Sequence, residues 1–177
     1  MTSQSASNPA QLQALLMPRL KEAVDYVVQK IWNENRELIR VLIYESYQPS
    51  MYERTGEFKE AWDTDTTTSG NKVSGTFKYA PDKLTVNREK WQHGSSYISG
   101  GKEYETTMTT YLADVIYQGL SGSMFGQGPW TEKRDAWTAL DKWLSNTQLR
   151  TIFEEGMSRV GIPWKRNVGA ITVEKHK

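Results

Sequence analysis

The chain contains no cysteine. Disulfides, thiolate metal sites and cysteine nucleophiles are therefore excluded together. Only two histidines are present, His93 and the penultimate His176, too few and too far apart for an imidazole-based zinc site. Charge of one sign is also missing, because 22 basic residues stand against 21 acidic ones for a net +1. That balance gives no electrostatic case for a free-standing nucleic-acid or membrane-surface binder. No run approaches the roughly 18 apolar residues of a membrane-spanning helix. The opening MTSQSASNPAQ lacks the basic region and apolar run of a signal peptide. A soluble protein made in a cytoplasm is expected, with no membrane contact.

The chain is rich in aromatic side chains, with seven Trp and nine Tyr among 177 residues. A chain of this length fits one domain with a real core. The expected organisation is a flexible arm over 1–8, an α+β body over 9–163 and a C-terminal tail over 164–177. Asn8-Pro9 is a helix start, since Asn caps and proline is tolerated in the first turn. Leu12, Leu16, Leu20, Val24, Val27, Ile31, Leu38 and Leu42 recur at helical spacing. One helix from Ala10 to about Glu45 would be about 50 Å long. Two features argue for interruption: Pro18, whose ring clashes with the preceding turn, and the polar patch Asn33-Glu34-Asn35-Arg36, which puts Asn35 on the apolar stripe. Such a helix either reaches a neighbouring subunit or lies kinked across its own sheet.

Residues 46–63, SYQPSMYERTGEFKEAWD, form the hinge between this helix and a strand-rich region. Pro49 ends the helix and Gly56 is free to take positive φ. Phe58, Ala61 and Trp62 follow at helical spacing. DTDTTTSG over 63–70 is polar and turn-prone. Lys72–Tyr79 alternates Val73, Gly75, Phe77 and Tyr79 against Ser74, Thr76 and Lys78, the pattern of a half-buried strand. A turn at Ala80-Pro81-Asp82 and a second alternation over 83–87 complete an expected hairpin. Residues 94–101 and 119–128 are glycine-rich loops. Between them Met108, Tyr111, Leu112, Val115 and Ile116 have helical spacing, with Gly119 as the stop. Pro129-Trp130-Thr131 is expected to start a helix capped by Thr131. Its stripe runs through Ala136, Trp137, Leu140 and Leu144, is recapped at Asn146-Thr147, and continues through Leu149, Ile152, Phe153, Met157 and Val160 to Gly161-Ile162-Pro163. Trp130 and Trp137, seven apart on one face, read most simply as core. The tail alternates weakly through Val168, Ala170 and Thr172, either as a last strand or as a reach towards a partner.

No catalytic signature emerges. Asp63, Asp65 and Thr67 open like a calcium loop, but the positions that need glycine and glutamate hold Thr68 and Ser74. Gly122, Gly126 and Gly128 follow no strand and precede no Lys-Ser or Lys-Thr, which speaks against a phosphate cradle. Asp82, Glu89, Glu103 and Glu105 include candidates for a carboxylate pair, with solvated surface charge as the plainer reading. Neither an enzyme activity nor a cofactor nor a metal is expected.

Two motifs together resemble a known family. One is Tyr47-x-Pro49-x-x-Tyr52-x-Arg54-Thr55-Gly56-x-Phe58 directly after an N-terminal helix. The other is Tyr111-Leu-Ala-Asp-Val115-Ile-Tyr-Gln-Gly119, followed by a Gly-rich loop, Pro129-Trp130 and a C-terminal helix. Their order is similar to the neck, tail-completion or head–tail joining proteins of tailed bacteriophages, over about residues 10–162. The chain departs from that pattern at Glu60, Ala61 and Trp62, where a small hydroxyl residue is usual, and in its long 87–104 segment. The resemblance implies a long N-terminal and a C-terminal helix packed on a twisted antiparallel sheet, with extended loops and arms. It implies a non-enzymatic virion protein, assembled in the host cytoplasm as a six- or twelve-fold homo-oligomeric ring. The ring would join a portal or connector to tail-tube or tail-terminator proteins, with DNA only as passing cargo in the lumen. Pro49, Tyr52, Arg54, Thr55, Gly56, Phe58 and Trp62 would then form a structural turn. Gly94, Tyr97, Gly101, Gly119, Met124, Phe125, Gly128 and Trp130 would supply interface loops, and Trp164, Lys165 and Arg166 tail contacts. A tail-terminator or minor capsid role elsewhere in the virion is the neighbouring alternative. A small metal-dependent hydrolase or nuclease using carboxylates around 82–105 is the alternative of another class.

Overall fold

The computed structural model of the chain describes residues 7–46, 55–84, 98–99, 102–103, 112–113, 116–119 and 133–162. The architecture is mixed α+β with a long N-terminal helix, as expected. Helix α1 spans Pro9–Ile39 and passes into a five-residue π-helix, Arg40–Tyr44. A 3-10 helix, Glu57–Glu60, leads into strand β1, Trp62–Ser69, which pairs with β2, Lys72–Tyr79. After a 3-10 turn, Pro81–Lys83, a short pair follows: β3, Ile98–Ser99, and β4, Lys102–Glu103. These are antiparallel, with Ile98 opposite Glu103 and Ser99 opposite Lys102. Residues 112–113 and 116–118 are helical. Helices α2, Ala136–Trp143, and α3, Asn146–Arg159, complete the described chain.

Several expectations are corrected. Neither Pro18 nor the polar patch breaks α1. Pro18 lies in exposed turns where losing one hydrogen bond is tolerable, and Asn35 is carried into the core by its neighbours. Of the polar run 63–70, residues 63–69 belong to strand β1 and only Gly70 turns, at φ 58°; the threonines favour extended backbone and the partner strand supplies the ladder. Strand β2 pairs with β1. Lys83 sits in a 3-10 turn, and 85–87 lie outside the described residues. The C-terminal helical region starts at Ala136, not near Thr131. Asp135 is its cap: the carboxylate accepts from the Thr138 amide at 2.8 Å and hydroxyl at 2.6 Å. Likewise Ser145, not Asn146-Thr147, recaps the chain, accepting from the Gln148 amide at 3.3 Å.

Packing divides the chain into two compact units. The first comprises Met1–Ile31, Thr64–Thr76 and Trp143–Lys177. Its helix begins as expected: the Gln11 amide donates to the Asn8 side chain at 2.9 Å, and the Gln11 amide oxygen accepts from the Ser7 backbone at 2.9 Å. Both groups satisfy donors that a helix start leaves orphaned. The buried Val27, Leu149 and Ile152 form its centre, flanked by Tyr26, Ile31, Trp143, Leu144 and Phe153. Helix α3 approaches α1 so closely at Gly156 that a Cβ there would stand 2.8 Å from the Ala23 carbonyl oxygen. Strand β2 crosses α1 just as tightly at Gly75, where a Cβ would meet the Val24 and Val28 side chains. The far end of α3 stops at Gly161, φ 69°, with the Ile162 amide bonded to the Met157 carbonyl at 3.0 Å and the Gly161 amide to that of Ser158 at 3.1 Å. This pair of bonds ties off the last carbonyls of the helix.

The second unit comprises Trp32–Asp63 and Phe77–Lys142. Ile39, Ile43, Phe58, Trp62, Ala113, Tyr117 and Ala136 are its buried centre, with Trp32, Leu38, Leu42, Phe77, Tyr79 and Leu84 among those packed around it. Asn35 is fully buried here, and among the described residues neither its amide nitrogen nor its oxygen finds a hydrogen-bond partner. Two unmatched polar atoms in an apolar site carry their full desolvation penalty. Asn35→Leu, similar in volume, should therefore raise the unfolding free energy by about 1–2 kcal/mol in urea titrations.

Candidate functional site

The segment that carries the family resemblance is also the best-braced part of the second unit. Pro49, Tyr52 and Arg54 lie outside the described residues; Thr55 onward is described. Gly56 takes φ 80°, ψ −1°, the left-handed conformation anticipated for it, and heads the 3-10 helix Glu57–Glu60. Phe58, on that helix, is 5% exposed, and Trp62 is 3% exposed at the first position of β1. The Trp62 ring nitrogen donates to the Phe58 carbonyl at 3.2 Å, and the Ala61 amide closes on the same oxygen at 3.3 Å.

Three outer ties hold this turn. Arg36 on α1 bonds the Glu60 carboxylate at 2.7 Å while its guanidinium lies over the Trp32 ring. The Lys83 ammonium reaches both the Trp62 carbonyl at 2.8 Å and the Asp63 carboxylate at 2.5 Å. The Ala80 amide donates to the Ala61 carbonyl at 2.9 Å. The ion pairs are half-exposed, so each contributes little alone; they position the chain rather than drive folding.

The rings supply the burial. Phe58 meets Trp62 edge-on at 6.2 Å, Tyr117 edge-on at 6.0 Å and Tyr79 at 5.9 Å. Phe77, Trp62 and Trp137 stack nearly parallel, with Trp62 5.2 Å from Phe77 and 5.9 Å from Trp137. Trp137 is 42% exposed, so the expectation that it is core fails: it roofs Trp62 from the α2 side and shows its other face to solvent. Tyr117 is a buried tyrosine of this ring cluster. Burial drives its phenol well above the usual tyrosine range, and Tyr79 and Asp135 push the same way. It stays protonated at any ordinary pH and takes no part in proton transfer there. On α1, Glu34 is also raised, by burial and then by Glu37. Arg40 holds Glu37 low through their hydrogen bond and also pairs with Glu45.

Asp63 and Asp65 sit on extended strand β1, which cannot wrap a cation as a calcium loop does. Asp82 is exposed on the 3-10 turn, Glu103 is in β4, and Glu89 and Glu105 lie outside the described residues. Among the described residues no three His, Cys, Asp or Glu side chains could hold a metal ion. Of the expected interface loops only Gly119 is described, with φ 73° at the end of a helical stretch. Gly94, Tyr97, Gly101, Met124, Phe125, Gly128 and Trp130 lie outside, as do Trp164, Lys165 and Arg166.

One open groove went unseen in the sequence. It lies in the first unit, about 520 Å³ in volume, lined by Tyr26, Thr151, Glu154, Glu155, Ser158 and Arg159. Arg159 lies over the Tyr26 ring at 4.6 Å, and the Tyr26 hydroxyl donates to Glu155 at 2.9 Å. Its lining residues on α3 recur at helical spacing, but that polar stripe reads as a solvated face until Tyr26 is brought against it.

The left-handed turn gives a direct prediction. Gly56→Val forces a β-branched residue to positive φ, a strain of about 2 kcal/mol. Gly56→Asn should lose less, since Asn tolerates that region. Paired denaturant titrations check the order Gly, Asn, Val.

Among the described residues no helix is long and apolar enough to cross a membrane. Compared with known protein families, with curated proteins and with solved structures, the chain finds no match in any of the three.

Proposed function

We propose that this chain is a structural protein of a tailed-bacteriophage virion, a ring-forming subunit at the head–tail junction that joins connector to tail. The observation that carries the reading is the Thr55–Trp62 turn. The family resemblance rests on Arg54-Thr55-Gly56-x-Phe58 as the link between a first helix and a sheet. In this chain that stretch follows α1 and its π-helical end, takes the left-handed turn at Gly56, buries Phe58 and Trp62, and enters β1. Among the described residues of that stretch, Gly56 turns the chain and Phe58 and Trp62 anchor it, which supports a mechanical role.

A ring subunit needs a body that fixes a repeat angle and segments that meet unlike neighbours. A head-to-tail interface closes into a ring when its rotation allows, and repetition around the ring multiplies modest contacts. Near-zero net charge suits copies that pack side by side. On this reading the partners are further copies of the chain, a portal or connector below the head, and tail-tube or tail-terminator proteins.

The test is genetic and visual. With the gene disrupted, lysates should hold DNA-filled heads and separate tails under the electron microscope, and supplying the intact gene should rejoin them. Normal joined particles without the gene would refute the proposal.

A further inference from the structure

The C-terminal end of α1 changes register. Over Arg40–Tyr44 the helix is a π-helix, and the Glu45 amide donates to the Arg40 carbonyl, five residues back, at 2.9 Å. An α-helix would close that carbonyl onto the Tyr44 amide instead. Five residues on an α-helix make about 1.4 turns, which would set the side chains of Arg40 and Glu45 about 140° apart. Here they meet. The Arg40 guanidinium donates from one terminal nitrogen to Glu45, and from Nε, at 2.8 Å, and its other terminal nitrogen to Glu37. The pair with Glu37, three residues apart, fits either register. The pair with Glu45 fits only the π register, and it repeats between side chains the bond that the backbone makes.

Packing discriminates little between the two registers. Val41, Leu42, Ile43 and Tyr44 form an unbroken run of large side chains that suit a core. Ile43 belongs to the buried centre of the second unit, and Leu42 and Tyr44 pack against that same centre. Rotating this turn therefore exchanges one such side chain for another. We propose that the end of α1 is a two-register joint, held in the π register by the Arg40–Glu45 clasp and passing to the α register when the clasp opens. Both ion pairs of Arg40 are about half-exposed, so one pair biases the populations by up to about fivefold. Where packing is even, a bias of that size sets the ratio. The joint lets Glu45 and Ser46 leave the helix in two directions. The inference stands independently of a role in virions.

Relaxation-dispersion NMR on the isotopically labelled full-length protein tests this, because helix register shifts fall in the microsecond-to-millisecond range. In the unaltered chain the Tyr44 and Glu45 amides should exchange with a minor state, while coupling through the hydrogen bond joins the Glu45 amide to the Arg40 carbonyl in the major one. Glu45→Gln removes a charge at an exposed position and should raise the minor population about fivefold. Glu45→Lys sets like charges together and should make the α register the major one, with the coupling moved from residue 45 to the Tyr44 amide. Glu37→Gln should leave the ratio unchanged, since its pair serves both registers. Absence of exchange in the unaltered chain would overturn the proposal. So would a coupling that stays at residue 45 in Glu45→Lys, loss of both couplings through fraying, or an equal shift in Glu37→Gln.

Discussion

Trp62→Ala should lower the unfolding free energy by about 3–5 kcal/mol, the range for removing a buried large aromatic. Trp62 is 3% exposed and touches four other rings: Phe58, Phe77, Tyr79 and Trp137. Its ring nitrogen also closes the 3-10 turn onto the Phe58 carbonyl. Alanine removes the burial, leaves a cavity beside Phe77 and Trp137 and opens the turn. At roughly 2–4 °C per kcal/mol for a chain of this size, the melting temperature should drop by about 6–20 °C. Trp62→Phe keeps one ring face and loses only the donor and some volume, so it should lose less than half as much. Calorimetric melting of both variants checks the order. A loss below about 1 kcal/mol for the alanine variant would mean that the ring stack does not hold the turn.

Gly156→Val should be the most damaging single change in the first unit, at about 3 kcal/mol. A helix interior ordinarily gains up to about 1 kcal/mol when glycine is replaced by alanine. Here a Cβ would stand 2.8 Å from the Ala23 carbonyl oxygen, 3.4 Å from the Ala23 Cα and 3.3 Å from the Tyr26 ring. Two of those three neighbours are backbone atoms, which move only if the helices separate. Separation would pull Leu149 and Ile152 away from Val27 and weaken the Arg159–Tyr26 contact. Gly156→Ala tests the sign: it should destabilise despite its better helix propensity. A stabilised alanine variant in urea titration would show that α1 and α3 are not in close contact there.

What could be read from the residues alone was the locally determined part. Asn8 ahead of Pro9, the alternation of Lys72–Tyr79, and Gly161 as a stop are signals written within one turn of their effect. Gly56 belongs with them, since only glycine takes positive φ at little cost. The misreadings share a cause, which is tertiary context overriding local preference. Pro18 and Asn35 argue against helix one residue at a time, yet the stripe from Leu20 to Leu42 outweighs both. The run 63–69 has turn-like composition, but pairing with β2 makes it strand, and Thr66 on it is 8% exposed. In the candidate site, Phe58 and Trp62 were recognisable as anchors from their spacing. Their stacking with Phe77 and Trp137 was not, because it joins segments 15 and 75 residues away from Trp62. Trp137 was placed in the core from its spacing with Trp130, and spacing alone does not show where a covering layer ends.

The central claim concerns where the protein works, and the most direct test is its position in a finished particle. Particles released from cells carrying the gene at its native locus are purified and labelled with a gold-conjugated antibody against the full-length chain. Gold confined to the joint between head and tail is the predicted result. Particles that lack the chain, or gold spread over the head shell or along the tail, would contradict it.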